Sequence, residues 1–155
     1  MRVHIVAVGR MRRDGLQRVF DDYQARSQWP VTVREINERR SPSGDGAQRQ
    51  WEADQIVSAI PDGAAVIALD EIGRDITSLD LASMLGVWRD DGVRDVAFLI
   101  GGADGHGDRA RSRADATIRF GCLTWPHLMV RVMLMEQIYR AQTILAGHPY
   151  HRGSD

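Results

Sequence analysis

The sequence predicts an α/β fold in which helices cover a parallel sheet. Two observations lead to this prediction. Short apolar runs alternate along the chain with segments of helical period. The run AAVIAL, in the middle of the chain, is continuously apolar, as a strand buried on both faces of a parallel sheet is. Because 155 residues are enough for one sizeable core, we expect the whole chain, residues 1–155, to form a single domain.

Two strand–helix units are predicted in the first part of the chain. Residues 3–8 form the first strand, and a helix follows over residues 14–27. The apolar face of this helix consists of Leu16, Val19, Phe20 and Tyr23. Residues 31–36 alternate as a second strand, and a turn-rich stretch over residues 37–46 leads to a helix over 47–60.

The second part of the chain continues this alternation. Three further strands are predicted, at residues 64–69, 96–100 and 116–120. Between the first two, the sequence from Thr77 to Asp80 is typical of a helix start, and Gly92 is the expected stop. The buried face of that helix is expected to contain Leu81, Met84, Leu85 and Trp88. A short helix is predicted over residues 108–114.

The last helix is predicted to run from Pro126 or His127 to Ala146, and it is the longest. Its sequence VRVMLMEQIYRAQTIL is apolar most of the way round, so it must be covered on more than one side. A homodimer interface is the simplest cover in so small a domain, and a fully internal helix is the alternative.

The charge balance excludes one class of function. The formal net charge is -1, which argues against a generic nucleic-acid binder that relies on a large positive field. Every basic residue is arginine, and the arginines occur in small groups such as Arg109, Arg111 and Arg113. These groups either contact phosphates or belong to solvated surfaces of mixed charge, and the second interpretation is favoured.

The sequence also bears on location and cysteine chemistry. It contains no apolar run of eighteen residues, and its start does not resemble a signal peptide, so we expect a soluble cytoplasmic protein with no membrane contact. The single cysteine, Cys122, has no partner for a disulfide or a metal pair, and we expect a small buried or half-buried residue there.

A glycine-rich loop follows the strand at residues 96–100. The segment FLIGGADGHG ends an apolar run in four glycines, and Gly105 to Ala110 matches the dinucleotide pattern GxGxxA. That pattern comes too late in the chain, lacks the acidic residue about twenty positions on, and opens a short arginine-rich helix, so we argue against a nucleotide-dependent dehydrogenase. A P-loop is excluded because the chain has no lysine. Two explanations remain: a tight turn, or a ligand against bare backbone, which is favoured.

Three further segments carry a family resemblance. LIGGADG at residues 99–105, LTWPHLMVRVMLMEQIYRA at 123–141 and GHPYHR at 147–152 closely resemble the small bacterial and plastid SPOUT methyltransferases. That family methylates N3 of a pseudouridine in 23S ribosomal RNA. The resemblance covers essentially the whole chain, with two departures: the family often has serine at Gly121 and lysine at Arg74.

The resemblance implies a C-terminal trefoil knot, a homodimer and S-adenosylmethionine as the methyl donor. It implies that three loops bind this cofactor largely through their backbone. The residues concerned are Leu69, Gly101, Gly102, Phe120, Gly121, Cys122, Leu123, Thr124 and Trp125. The glycines would then make room for the cofactor and its reacting methyl group. The family is thought to act on assembled ribosomes, which suits a nearly neutral protein.

The acceptor nitrogen of a uracil-type ring carries a proton, so a base or a stabilising cation is the expected aid to methyl transfer. His127 and Arg131 share one face at the start of the last helix. His127 is expected to position or deprotonate the acceptor, and Arg131 to hold a phosphate or the cofactor's carboxylate. The equally weighted alternative is that His127 caps the helix and Arg131 pairs with an acid at an interface.

Five further residues complete the catalytic candidates. Glu136 and Arg140 stand in the order that favours an ion pair, which is either structural or beside the active site. In the tail, Tyr150 is expected to stack on a base, and His151 and Arg152 to bind phosphate or ring oxygens. The resemblance implies that this tail completes the pocket of the other subunit.

Two other functions were considered. A metal site made by three of the chain's histidines, His127, His148 and His151, is disfavoured because no Asp or Cys stands at ligand spacing, and no metal is expected. A non-catalytic dimeric nucleotide-binding module of the same fold is the remaining alternative to the enzyme.

Overall fold

The computed structural model describes residues 1–12, 14–37, 45–103 and 105–151. The strands are β1 (Arg2–Val8), β2 (Val31–Ile36), β3 (Ala65–Asp75), β4 (Asp95–Ile100) and β5 (Ala116–Arg119). The helices are α1 (Gly15–Arg26), α2 (Asp45–Ser58), α3 (Ser78–Asp90), α4 (Asp108–Arg113) and α5 (His127–Leu145). The predicted alternation of strands and helices is confirmed. The predicted stretch over residues 37–46 lies largely outside the described residues.

The five strands form one parallel sheet in the order β2-β1-β4-β3-β5. Alternate side chains of each strand point to opposite faces, which divides the core in two. On one face the apolar side chains of Val3 and Ile5 belong to a cluster with Leu134, Met135 and Ile138 of α5. The other face packs against α2 and α4. Helices therefore cover both faces of the sheet, and the predicted α/β class is confirmed.

The end of β3 differs from the prediction, which placed it at Leu69. Up to Leu69 the strand pairs with β4 on one side and, from Ile67, with β5 on the other; after an irregularity it pairs with β5 again at Arg74 and Asp75. Gly73 makes this second pairing possible: a Cβ there would lie 2.4 Å from the backbone carbonyl carbon of Ile118. The polar sequence DEIGRD gave no periodic signal for this strand extension, which depends on contact with a distant segment.

The predicted helix signals are confirmed in detail. The side chain of Asp14 accepts hydrogen bonds from the backbone of Leu16 and Gln17 at the start of α1. Thr77 and Asp80 form a reciprocal capping box at the start of α3. Gly92 has a φ of 85°, the left-handed conformation that ends a helix.

The face of α1 that we expected to be buried is covered only in part. Phe20 is buried, but Val19 is 45% exposed. The neighbouring helix α5 has eight buried residues, while other side chains on it, including Met133, are half-buried. An apolar surface therefore remains on this side of the chain.

A charged network at the amino end of the sheet stabilises the fold. Asp95, at the start of β4, accepts hydrogen bonds from Arg2 at 2.8 and 2.6 Å and lies 2.7 Å from Nε2 of His4. These partners, Arg2 first, lower the pKa of Asp95 from 3.8 to about 2. Because the pKa is depressed in the folded state, the stabilisation is present above pH 3.8 and is lost as the pH falls through about 2.

We expect Asp95→Asn to lower the free energy of unfolding by about 1–2 kcal/mol at pH 7, after allowance for solvent screening. It should also remove part of the loss of stability between pH 4 and about pH 2. Urea unfolding at several pH values measures both effects, with the exposed Asp62→Asn as the control. An unchanged unfolding curve for Asp95→Asn would contradict this prediction.

Candidate functional site

A cavity of about 220 Å³ lies at the carboxyl ends of β3, β4 and β5, beside the start of α5. Ligands bind at this end of open parallel sheets because the loops there are free to diverge. The cavity is lined by all nine residues expected to bind the cofactor: Leu69, Gly101, Gly102, Phe120, Gly121, Cys122, Leu123, Thr124 and Trp125. Three segments far apart in sequence thus meet at one place, and their role in binding stays a prediction.

The glycine loop exposes its backbone because it is tightly folded. The amide of Gly105 donates to the carbonyl of Gly102 at 3.0 Å, and Gly105 has a φ of 72°. A Cβ on Gly101 would lie 2.8 Å from the Gly105 carbonyl, and one on Gly102 would lie 2.9 Å from Oε2 of Glu52. The turn itself therefore requires glycine at residues 101 and 102, and both glycines line the cavity; that they make room for a ligand stays a prediction.

The GxGxxA match has a different explanation. Gly107 packs directly against α2: a Cβ there would lie 2.8 Å from Cβ of Ala53. The helix it opens, α4, has only six residues. The last two positions of the pattern, Gly107 and Ala110, are both buried in the fold and serve helix packing.

The loop over residues 120–126 forms another wall of the cavity. Nε1 of Trp125 donates to the carbonyl of Phe120 at 2.9 Å, which closes the loop on itself. Gly121 has a φ of 82°, so glycine suits this position, where the family often has serine. Cys122 is exposed, which corrects the expectation of a buried or half-buried thiol. Leu123 is 73% exposed and leaves an apolar rim at the cavity mouth.

His127 and Arg131, which share a helix face, have different surroundings. His127 is the first residue of α5 and lines the cavity. Arg131 is fully buried and donates to the carbonyls of Val8 and Gly9 and, at 2.8 Å, to Glu35. This corrects the expectation that Arg131 holds a phosphate or the cofactor's carboxylate, because its guanidinium is enclosed by the ends of β1 and β2. The alternative ion pair exists, with an acid of the same chain.

Glu136 and Arg140 form the expected ion pair, with nitrogen–oxygen distances of 2.9 and 2.5 Å. The tail packs on this pair. The Tyr150 hydroxyl donates to Glu136 at 3.0 Å, and Nδ1 of His151 lies 3.3 Å from Arg140. Burial, followed by hydrogen bonds to Tyr23 and Glu136, raises the pKa of Tyr150. Arg152 lies outside the described residues.

The structure therefore brings the catalytic candidates together as two groups. His127 lies at the cavity, whereas Glu136 and Arg140 lie further along α5 and Tyr150 and His151 pack on them. Among the described residues, none of the tail lines the cavity. Glu136 lines a neighbouring groove of about 630 Å³ that shares Phe120 with the cavity.

The sequence analysis missed several charged residues around the site. Arg119 lines both the cavity and the groove and is bound at 3.0 and 2.6 Å by Asp75. Asp70 is held by Arg111 at 2.9 Å, beside Leu69. Asp70 and Asp75 are the first and last residues of the polar stretch DEIGRD, which continues β3 past Leu69. The sequence of this stretch gives no strand signal, so the positions of the two aspartates were not predicted.

The arginine group of α4 belongs to surfaces of mixed charge, as the favoured interpretation had it. Arg109 pairs with Asp54, and Arg111 with Asp70. Arg113 donates to the Ala64 carbonyl.

Over the described part of the chain, no three His, Cys, Asp or Glu side chains are grouped as metal ligands would be. None of the described helices is both long and apolar enough to span a membrane.

Comparisons with known proteins agree with this geometry. A family model described as predicted SPOUT methyltransferase matches residues 1–151. The ribosomal RNA large subunit methyltransferase H of Rhodospirillum centenum is 49% identical over 98% of this chain and 99% of its own length. The protein of the same name from Paramagnetospirillum magneticum is 50% identical over the same shares.

A solved structure shares the fold. A probable methylase family protein from Haemophilus influenzae Rd KW20 aligns with 99% of this chain and 71% of its own, with a TM-score of 0.57 at 10% identity. The resemblance found in the sequence is confirmed by the family model and by both relatives. The chain belongs to the SPOUT methyltransferase family.

Proposed function

We propose that this methyltransferase transfers the methyl group of S-adenosylmethionine to N3 of a pseudouridine in 23S ribosomal RNA, on the assembled ribosome and in the cytoplasm. One observation carries the proposal: the ends of β3, β4 and β5 form one cavity with His127 at its edge. The names of the relatives, which refer to large-subunit ribosomal RNA, support the substrate class.

The cavity suits a cofactor bound mainly by backbone. Gly101 and Gly102 present amides and carbonyls without side chains, and a Cβ at either position would meet atoms of the fold within 3.0 Å. Phe120 to Trp125 supply a second stretch of backbone opposite them. The apolar walls, including Leu69 and Val130, exclude water from one side. These features favour a ligand with a planar ring and a polar tail, such as S-adenosylmethionine.

S-adenosylmethionine, when bound, supplies a sulfonium methyl group that leaves by in-line displacement. The chain's own task is to hold the acceptor in line and to assist loss of the proton from its ring nitrogen. His127 is the side chain placed for this, because it lies at the cavity on the first turn of α5. Arg119, at the junction of cavity and groove, is a cation within reach of the acceptor's oxygens or phosphate.

The proposal includes a homodimer in which the tail of one subunit completes the site of the other. Support comes from the partly exposed apolar surface of α1 and α5 and from the groove beside it. In the single chain, Tyr150 and His151 pack on Glu136 and Arg140, one groove away from His127. The proposed second copy covers this groove and reaches the cavity with its own tail.

We also propose the trefoil knot of the family for the C-terminal part of the chain. The course of β3 past Leu69 supports it, because the strand, which already pairs with β5 at residues 67–69, returns to β5 at Arg74 and Asp75, where β5 leads into the loop over residues 120–126. Gly73 and Ile118 approach so closely that no side chain fits between them.

The proposed function is tested with purified protein, methyl-labelled S-adenosylmethionine and assembled ribosomes from cells that lack the methyl mark. We expect label on a pseudouridine ring nitrogen of 23S RNA, located by nuclease digestion and mass spectrometry. Ribosomes that already carry the mark are the matched control and should take up no label. Cofactor binding without transfer to any ribosomal preparation would favour the non-catalytic binding module instead.

A further inference from the structure

A buried histidine, His106, lies behind the cofactor cavity and has no part in the proposed chemistry. It is 1% exposed and belongs to the glycine loop between β4 and α4. Its Nε2 lies 2.9 Å from the backbone carbonyl of Leu69, at the end of the first part of β3. It therefore connects two of the three segments that line the cavity.

The Leu69 carbonyl lies where the pairing of β3 is interrupted. Leu69 is the last residue of β3 that pairs with β4, and pairing with β5 resumes only at Arg74. A buried carbonyl at a break in the ladder costs free energy unless another donor reaches it. Because a carbonyl only accepts, Nε2 of His106 must carry the proton, which defines the neutral tautomer.

The backbone of His106 also supports the glycines. A Cβ on Gly101 would lie 3.1 Å from the His106 amide nitrogen, so residue 106 forms the floor beneath Gly101. Through its side chain the same residue holds Leu69. Any shift of the ring is therefore transmitted to both walls of the cavity.

We infer that His106 is a positioning residue for the cofactor: its neutral ring ties the glycine loop to the end of β3, and cofactor affinity depends on that tie. The inference rests on the proposed binding of S-adenosylmethionine in the cavity. His106 does not line the cavity, so its effect is indirect.

The surroundings of the ring resist its protonation. Burial is the largest influence and lowers the pKa of His106 below 6.5, and the positive charge of Arg111 acts in the same direction. The Leu69 carbonyl, Asp70 and, least of all, the Leu99 carbonyl oppose the shift. Nδ1 makes no hydrogen bond of good geometry with any described residue. The other ionisable groups near these walls are Glu52 on α2, behind Gly102, and four residues that line the cavity: Glu71, Arg119, Cys122 and His127.

This arrangement makes the cofactor site sensitive to acid. A proton on Nδ1 would place a charge in a buried position where Nδ1 has no acceptor of good geometry among the described residues. The ring would have to move toward solvent to stabilise that charge, and this movement would break its bond to Leu69. Only the fraction with neutral His106 is then competent to bind, so the apparent Kd rises by up to about ten-fold per pH unit below the folded pKa. Above pH 6.5 the affinity should be insensitive to this group.

The test measures the Kd of S-adenosylmethionine by calorimetry between about pH 8 and about pH 5, the range across the ordinary pKa of histidine, for the wild type and two variants. His106→Gln keeps an N–H donor but cannot be protonated. It should bind within about three-fold of the wild type at pH 8 and show less weakening in acid. His106→Leu lacks the donor and should bind about ten-fold more weakly at pH 8.

The comparison between variants isolates the effect of His106, because His127 is present in all three proteins. Wild-type affinity in His106→Leu at pH 8, or an undiminished acid effect in His106→Gln, would overturn the inference and leave the proposed function intact. Failure of the wild type to bind at pH 8 would overturn both. Urea unfolding of each protein shows that the variants are folded; if His106→Leu is not, the pH profile of His106→Gln still decides.

Discussion

Replacing Arg131 by methionine is expected to lower the free energy of unfolding by about 3–5 kcal/mol, the cost of breaking a buried charged network from one side. The guanidinium is fully buried and binds the carbonyls at the end of β1, Val8 at 2.6 Å and Gly9 at 2.5 Å. It also binds Glu35, which in addition accepts from the Met11 amide at 2.6 Å. Methionine fills similar space but leaves these acceptors without their donor.

The measurement is urea unfolding at one fixed protein concentration, because the stability of the proposed dimer would depend on concentration. The matched control is Arg89→Met, which removes an exposed arginine from its pair with Asp90. Such a pair contributes about 0–1 kcal/mol. Equal destabilisation by both substitutions would show that the buried network contributes no more than a surface ion pair.

Replacing Gly101 by alanine is expected to weaken S-adenosylmethionine binding by about 100-fold, equivalent to about 2.7 kcal/mol. The new Cβ would lie 2.8 Å from both the carbon and the oxygen of the Gly105 carbonyl. These are backbone atoms of a tight turn, so the clash is relieved only by moving the loop that forms the cavity wall. We expect a loss of stability of about 1–3 kcal/mol as well.

Two other glycines make this test specific. Gly102→Ala meets the side chains of Glu52 and Val8, which move more easily than backbone, so its effect on the Kd should be smaller. Gly15→Ala, at the exposed start of α1, has nothing within 4 Å and should bind the cofactor as the wild type does. A Gly101→Ala variant that is folded and binds with the wild-type Kd would contradict the proposed site.

Some of the site could be predicted from sequence because the relevant signals are local or belong to the family. Leu69, the glycines and the loop over residues 120–126 were assigned by resemblance, and they meet in one cavity because each follows a parallel strand. His127 was also expected beside them, because the last helix begins directly after this loop. The role expected for Arg131 was wrong because it was inferred from the helix face that Arg131 shares with His127. A shared face does not determine which segments of the chain pack against each turn of the helix.

The sequence by itself determined the order and kinds of elements, their caps and the family, because helical period, strand alternation and capping depend on neighbours in the chain. Only the tertiary structure decided the extension of β3, the burial of Arg131 and the position of His106. Each depends on a contact between distant residues, such as the bond from Arg131 to Val8 or from His106 to Leu69. A buried polar group must find a partner within hydrogen-bonding distance, and which partner is available is settled when the sheet is assembled.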